Sequence, residues 1–353
     1  MSSQRAAFAI PGDIDTRTGG FIYERSLLDA LRSAGREVEH VVLAASYPDP
    51  SRDDDEATRA ALAAVAPYVP VIVDGLVFGA MDTGVFDAIR APVIAMIHHP
   101  LGLETGLPPA RADALLRLEA ANLARADHVV VPSPHTARIL RERFGVPEDR
   151  ISIALPGFPA ADPVRAEVTP PLILSVGLLA PRKGHDTLLD GLAKLTDLDW
   201  NAEIVGRAHD HATARALFDQ CAALGLDGRV RFVGEIGEEA LRDRFRAASI
   251  FALATHYEGY GMVFSEAMLH GLPIVGCAVG AVPDTVPPET GILVLPADAD
   301  AFGGALRRLL SEPDLRRGMA EASTEAGRAL PGWADTARVM GGVIDRLANE
   351  AAR

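Results

Sequence analysis

Two glutamates with seven residues between them, Glu258 and Glu266, lie in the stretch THYEGYGMVFSEAMLHGLPIV, from Thr255 to Val275. The apolar, β-prone segment SIFALAT precedes them, Gly259 and Gly261 flank Tyr260, and a helical pattern then runs to His270 and Gly271. A strand, a glycine turn and a helix in that order leave the first backbone N–H groups of the helix unpaired at the positive end of its dipole. Anions and sugar hydroxyls bind well at such a turn, and a residue without Cβ lets a ligand come close to the main chain. A carboxylate offers about four lone-pair sites. Glu258 at the turn and Glu266 on the following helix therefore suit two separate sets of polyol hydroxyls.

A second stretch, SVGLLAPRKGHDTLLDGLAKL, ends a strand at Gly177, turns through Arg182, Lys183 and Gly184, and enters a helix. Only two of the 34 basic residues are lysines, Lys183 and Lys194, so a lysine in a glycine-flanked turn points to a need for a compact point charge. Cations there would face a diphosphate, each charged hydrogen bond contributing about 1.5 to 3 kcal/mol. A third stretch, IPGDIDTRTGGFIYERSLLDAL, follows the first strand; Gly19 and Gly20 open a helix in another anion-receptive turn. Asp13 and Asp15 share that loop. His98 and His99 end the strand-like PVIAMIHHP, whereas His209 and His211, around Asp210, have no third ligand in sight and read as solvated. No G-x-S-x-G, C-x-x-C or G-K-[ST] motif occurs.

These residues must be positioned by a regular alternation. AAFAI, EVEHVVL, PVIVDG, PVIAMIHH, DHVVVPS and ISIALPG read as strands, with amphipathic segments such as FIYERSLLDALRSAG and ADALLRLEAANLARA between them. Five prolines between Pro156 and Pro171 then break the pattern, which restarts with LILSVG, WNAEIVG, VRFVG, SIFALAT, PIVGC and GILVLP. Such βαβ alternation predicts parallel, doubly wound sheets with ligands beyond the carboxyl ends of the strands. The expected organisation is an α/β domain over 1–165, a second over 166–330, and a terminal helix over 331–353 carrying a buried-type tryptophan, Trp333. Two such domains would face each other across a cleft, a favoured place for ligands. The acidic run from Asp53 to Glu56 reads as a solvated helix start.

Composition narrows the function. The chain has 353 residues, 48% hydrophobic and 23% charged, enough for roughly two ordinary cores. A formal net charge of −14 argues against nucleic acid, which needs a basic stripe, and opposes docking on anionic lipid, although peripheral membrane contact stays open. No apolar run approaches a membrane span and MSSQRAAFAIPGDID lacks an h-region. With two cysteines, Cys221 and Cys277, at no metal-like spacing, the expected location is cytoplasmic.

Glu258 and Glu266, together with EAMLHGLPIVGCAVGAVPDTV and TGILVLPAD, resemble the E-x7-E signature of the family 4 retaining glycosyltransferases, nucleotide-sugar enzymes of the GT-B fold. The resemblance implies two Rossmann-like domains, the first binding the acceptor and the second the donor, with the terminal helix crossing back to the first. Glu258 would bind the donor sugar and Glu266 the ribose, Arg182 and Lys183 the diphosphate, and Gly19, Gly20 and the residues Gly259, Tyr260, Gly261 and Met262 the rest of the donor. His98 aligns with a histidine that the family places near the transferred sugar, so the catalytic set would be His98, Lys183 and Glu258. Asp13, Asp15 and His99 are candidates for acceptor hydroxyls, the two aspartates alternatively for a helix cap. The family usually has an arginine directly after the strand-end glycine; here that residue is Leu178, and the sequence leaves open whether Arg182 replaces it. Asp13-Ile14-Asp15 also matches the metal-binding D-x-D of the other large glycosyltransferase fold, a reading set aside because the chain continues as two doubly wound domains with a basic turn for the diphosphate. The expected activity is therefore metal-independent, cofactor-free transfer of a sugar to a hydroxyl with retention. The rivals are a nucleotide-sugar epimerase on the same fold and a non-catalytic nucleotide-sugar binder.

Overall fold

The computed structural model describes residues 5–161 and 163–353. The chain forms two units, Met1–Pro159 with Pro331–Arg353, and Ala160–Leu330. In the first, β1 (Arg5–Pro11), α1 (Gly19–Ser33), β2 (Glu37–Leu43), α2 (Arg52–Ala63), β3 (Val71–Asp74), α3 (Gly75–Phe78), β4 (Val93–Met96), α4 (Pro109–Leu123), β5 (His128–Val131), α5 (Pro134–Phe144) and β6 (Ile151–Ile153) alternate. The second holds β7 (Leu172–Val176), α6 (His185–Ala193), β8 (Asn201–Val205), α7 (His211–Ala223), β9 (Val230–Gly234), α8 (Glu238–Ala247) and β10 (Ile250–Leu253). It continues through α9 (Met262–Leu269), β11 (Ile274–Cys277), α10 (Val282–Thr285), β12 (Gly291–Val294), α11 (Ala299–Ser311) and α12 (Pro313–Arg328); α13 (Trp333–Ala351) then rejoins the first unit.

Strands β3, β4, β5, β10 and β11 are buried at every position, as expected of parallel strands covered on both faces. Local signals start the helices between them. Ser51 and Asp54 form a reciprocal capping box ahead of α2, and Ser133 accepts from the Thr136 N–H with Pro134 in the first turn of α5. Asp53, Asp54 and Asp55 sit in the first turn of α2, where the dipole favours acids.

Among the described residues each unit has one six-stranded sheet, ordered β2-β1-β3-β4-β5-β6 in the first and β12-β11-β10-β7-β8-β9 in the second, with every pairing parallel. The order reverses between β1 and β3 and between β7 and β10. Helices leave opposite faces of the sheet at such switch points, so the loops beyond the strand ends part and make a crevice. The stretches with candidate chemistry follow β1, β7 and β10, the strands at those reversals.

Two sequence expectations shift. Arg165 belongs to the second unit, since its guanidinium donates to the carbonyls of Gly271 and Ala248, whereas the sequence places it at the end of the first domain. Trp333 is only half-buried, lying edge-on to Tyr23 at 5.4 Å; the fully buried tryptophan is Trp200, whose indole donates to the Leu195 carbonyl at 2.8 Å.

Helix α13 is tied to the first unit by two 2.7 Å bonds from Arg36 to Asp345 and by Thr336 Oγ1 donating to the Leu155 carbonyl at 2.7 Å. The chain approaches so closely at Gly157 that a Cβ there would lie 2.2 Å from the Trp333 nitrogen. Gly157→Ala is therefore expected to destabilise the protein by about 1 to 3 kcal/mol, the usual cost of overpacking. Gly342→Ala, on an open face of α13, should be neutral or stabilise by up to about 1 kcal/mol. Denaturant midpoints of the two variants check this contrast; equal midpoints would refute it.

Candidate functional site

The turn after β7 and the loop after β10 meet at the switch point of the second unit. Gly177 follows β7, a short turn runs Pro181–Lys183, and Gly184 takes φ 62° before α6. A side chain at 184 would be strained by that φ, and its Cβ would fall 2.0 Å from the Ala254 carbonyl oxygen. The glycine thus lets the turn lie flat on the end of β10. His256 N donates to the Arg182 carbonyl at 2.8 Å, and Arg182 Nη1 returns to the Tyr257 carbonyl at 2.9 Å.

The centre of this junction is Glu258, 7% exposed. Its Oε1 accepts from Lys183 Nζ at 2.7 Å and from Thr255 Oγ1 at 3.0 Å, and its Oε2 is 3.6 Å from Arg182 Nη1. Burial pushes this carboxyl up, but the charges of Lys183 and Arg182, with the hydrogen bonds from Lys183 and Thr255, outweigh it and hold the group below its ordinary range. Two cations around one carboxylate leave one net positive charge at the turn. Beyond Glu258 the chain passes Gly259 and Tyr260, whose hydroxyl lies 3.2 Å from Ser265 Oγ, to Gly261, the N-cap of α9. No side chain caps α9, and of its first three amides the Phe264 N–H is taken by the Gly261 carbonyl at 2.9 Å, so the donor capacity of this helix start lies with Met262 and Val263. Glu266, one turn into α9 and half-buried, has its carboxyl raised to about 7 by burial, opposed by Lys183 and reinforced by Glu238. Lys183 therefore acts on both glutamates of the E-x7-E pair.

Leu178 stands where an arginine was expected, half-buried, and its carbonyl accepts from His185 Nε2 at 3.2 Å. Burial first, then the neighbouring Lys183, push the fully enclosed His185 down to about 4, so it is neutral. Arg182, four residues on, is the second cation beside Glu258.

The remaining candidates belong to the first unit. Gly19 and Gly20 open α1, and a Cβ at 20 would touch the His98 ring at 3.6 Å. His98, just past β4, places Nε2 3.4 Å from Glu24 Oε1, with its ring edge-on to Tyr23 at 5.0 Å; His99 is half-buried beside it. Asp13 does not cap a helix: its Oδ1 accepts from the Asp15 N–H at 2.9 Å, closing the loop on itself. Asp15 pairs with Arg25 of α1 at 3.2 Å, while the N-cap of α1 is Thr18 without a side-chain bond. His209 and His211 are exposed, and Asp210 between them caps α7 by accepting from the Thr213 N–H.

One cluster was not anticipated. Glu24, Asp74 and His98 bring ligand-type atoms within 4.8 Å of one another, the two acids being 1% and 4% exposed. Its trace in the sequence is a glutamate on the apolar face of α1, with Tyr23, Leu27, Leu28 and Leu31, and an aspartate ending the apolar strand VIVD.

Residues 19–161 match the family model described as Glycosyltransferase Family 4, and residues 161–326 match Glycosyl transferases group 1. Among curated relatives, the D-inositol 3-phosphate glycosyltransferase of Corynebacterium glutamicum is 30% identical over 246 residues, 64% of this chain and 59% of the relative. The mannosylfructose-phosphate synthase of Agrobacterium fabrum is 31% identical over 168 residues, 42% and 37% of the two chains. The matches thus span less than two thirds of the length of these relatives. Sucrose-phosphate synthase from Thermosynechococcus elongatus superposes over 98% of this chain and all of that one, with a TM-score of 0.82 and 25% identity. Anabaena HepE in complex with UDP and glucose has a TM-score of 0.75 at 16% identity over 97% and 99% of the chains. None of the described helices is long and apolar enough to cross a membrane. Two parallel doubly wound sheets, with one family model on each and GT-B structures overlying the whole chain, place this protein in glycosyltransferase family 4, with the GT-B fold.

Proposed function

We propose that the protein transfers a sugar, with retention, from a nucleoside diphosphate sugar to an acceptor hydroxyl, without a metal ion or cofactor. The observation that carries this reading is the Arg182, Lys183 and Glu258 cluster at the switch point of the second unit, with Glu266 beside it. A diphosphate leaving group develops negative charge as its bond to the sugar breaks. Preorganised cations and helix amides stabilise that charge without reorganising at the moment of reaction. The charge of Lys183 is directed at Glu258, and an incoming diphosphate competes with that carboxylate for the ammonium. Glu258, anchored by Thr255, then keeps its second oxygen for sugar hydroxyls, and Glu266 accepts from the ribose. The family resemblance assigns His98 to the sugar being transferred, and Gly19 and Gly20 to the donor; Asp13, Asp15 and His99 remain acceptor candidates.

The relatives support this reading. HepE was crystallised with UDP-glucose as well as with UDP and glucose, which fits a nucleotide-sugar donor. D-inositol 3-phosphate glycosyltransferase, mannosylfructose-phosphate synthase and sucrose-phosphate synthase all have phosphorylated polyols or sugars in their names, so such acceptors come first in a substrate screen. Product analysis separates the rival activity: an epimerase returns a sugar still attached to its nucleotide, with no acceptor consumed.

Lys183→Ala is expected to lower kcat by ~10² or more, as loss of a donor to a developing anion does, and to lower the melting temperature because Glu258 loses its nearest cation. Glu258→Gln should weaken the nucleotide sugar more than the bare diphosphate, whereas Glu266→Gln should weaken both alike. Calorimetry with both ligands decides, and a Glu258→Gln defect of equal size for the two would end this division of roles.

The raised carboxyl of Glu266 has a further consequence. An acid whose folded pKa lies above its unfolded value destabilises the folded state as pH rises from about 4.5 to about 7, and the penalty is constant above that. Glu266→Gln removes this penalty, so it should leave stability near pH 4 unchanged and raise it by roughly 1 to 2 kcal/mol at pH 8, even while nucleotide affinity falls. Denaturation of both proteins at the two pH values checks the sign. Turnover should persist in excess chelator; its loss, with recovery on adding manganese or magnesium, would restore Asp13 and Asp15 as metal ligands.

A further inference from the structure

We propose that Glu24 is a positioning residue for His98: its carboxylate accepts one hydrogen bond from a protonated Asp74 and a second from Nε2–H of a neutral His98, which fixes the ring's tautomer and orientation. The inference rests on the reading of His98 as a residue that meets the transferred sugar.

Three elements converge here, Glu24 from α1, Asp74 from the end of β3 and His98 from beyond β4. Their polar atoms lie within 4.8 Å of one another, with His98 Nε2 3.4 Å from Glu24 Oε1. Asp74 Oδ1 already accepts from the Leu76 N–H at 2.8 Å and the Val77 N–H at 3.4 Å, leaving its other oxygen to face Glu24, whose two buried oxygens have no other hydrogen-bond partner. Two buried carboxylates in contact cannot both be ionised without a cation between them. Asp74 takes the proton: burial first, then the neighbouring Glu24 carboxyl, raise it well above its ordinary range, while burial raises Glu24 only to about 7, with Asp74 opposing. Burial also pushes His98 down, so the ring is a neutral donor. Tyr23, the remaining titratable group against Glu24, stays protonated, because burial and the Glu24 charge both raise it. The ring is held on its other sides by Tyr23, edge-on at 5.0 Å, and by Gly20, and its backbone carbonyl accepts from Thr136 Oγ1 at 3.3 Å. One ionised oxygen pair serving two donors is a fixed arrangement, in the way a ligating imidazole is set by the carboxylate behind it.

The arrangement predicts an asymmetry between two nearly isosteric variants. Asp74→Asn keeps an oxygen for Leu76 and offers an N–H to Glu24, imitating the protonated acid, so kcat should stay within about threefold of the parent. Glu24→Met keeps the length of the side chain and removes both acceptor oxygens. It should lower kcat roughly tenfold or more, since a misplacement near 1 Å at a reacting centre costs up to about 10²-fold, with the donor KM unchanged. The tautomer is read by long-range 1H–15N spectra of the full chain labelled at histidine, with the His98 signal assigned by its loss in His98→Gln. An Nε2–H pattern in the parent and in Asp74→Asn, lost in Glu24→Met, is the expected result. An Nδ1–H pattern in the parent, equal damage from both variants, or a His98 signal that moves on adding zinc or manganese and returns with chelator would overturn the proposal. The spectra need no substrate, so absence of sugar transfer by the parent would refute the proposed function while the tautomer still decides this inference.

Discussion

Removing a carboxylate from water costs several kcal/mol unless charge and hydrogen bonds replace the lost solvent, and Glu258 is buried with both. Lys183 and Arg182 come from the turn after β7, Thr255 from the loop after β10, so the ionised carboxylate requires those two chain segments to be in contact. Everything else at the switch point serves that contact: Gly184 lies flat against Ala254, and the Arg182 carbonyl accepts from His256. On the proposed function, the same ion pair that stabilises Glu258 places a cation where the diphosphate of the donor binds. Breaking it in favour of a ligand leaves Glu258 still supported by Arg182 and Thr255, so the ammonium can be redirected at moderate cost.

The two units solve the same problem with opposite chemistry. At its switch point the second unit has cations surrounding one carboxylate. Near its own, the first has carboxyls beside an imidazole, with no Arg or Lys among the described residues acting on Glu24, Asp74 or His98. Lacking that counter-charge, the acidic cluster must retain a proton, whereas the basic one does not. A doubly wound sheet provides the crevice in each case, and the residues beyond its strand ends decide the charge it tolerates.

The strands were legible because most are short apolar runs ended by Gly, Pro or Asp, and all twelve stretches read as strands contain strands. The grouping of Lys183 with Glu258 and Glu266 was legible through their places after β7 and β10. Their pairing was not, since a spacing of 75 residues says nothing about whether Lys183 faces a ligand or a glutamate. The cluster around His98 was less legible still: Glu24, Asp74 and His98 lie on three elements, and each alone looks like an ordinary acid or a strand-end histidine. The sequence leaves the roles of Asp13 and Asp15 open for a related reason, because a short acidic pair in a loop can as easily hold its own backbone and a neighbouring arginine as a ligand.

The return of α13 to the first unit also orders the protein in time. The chain leaves that unit after Pro159 and re-enters it at Pro331, where the Pro331 carbonyl accepts from Phe158 N–H at 2.8 Å. On the ribosome, all of Ala160–Leu330 is therefore made before the segment that carries Trp333, Thr336 and Asp345. The domain inserted in the middle can finish folding while the one that began first still lacks its last helix, and a nascent chain stalled near residue 330 would hold a complete second unit beside a first unit with the α13 face of α1 uncovered.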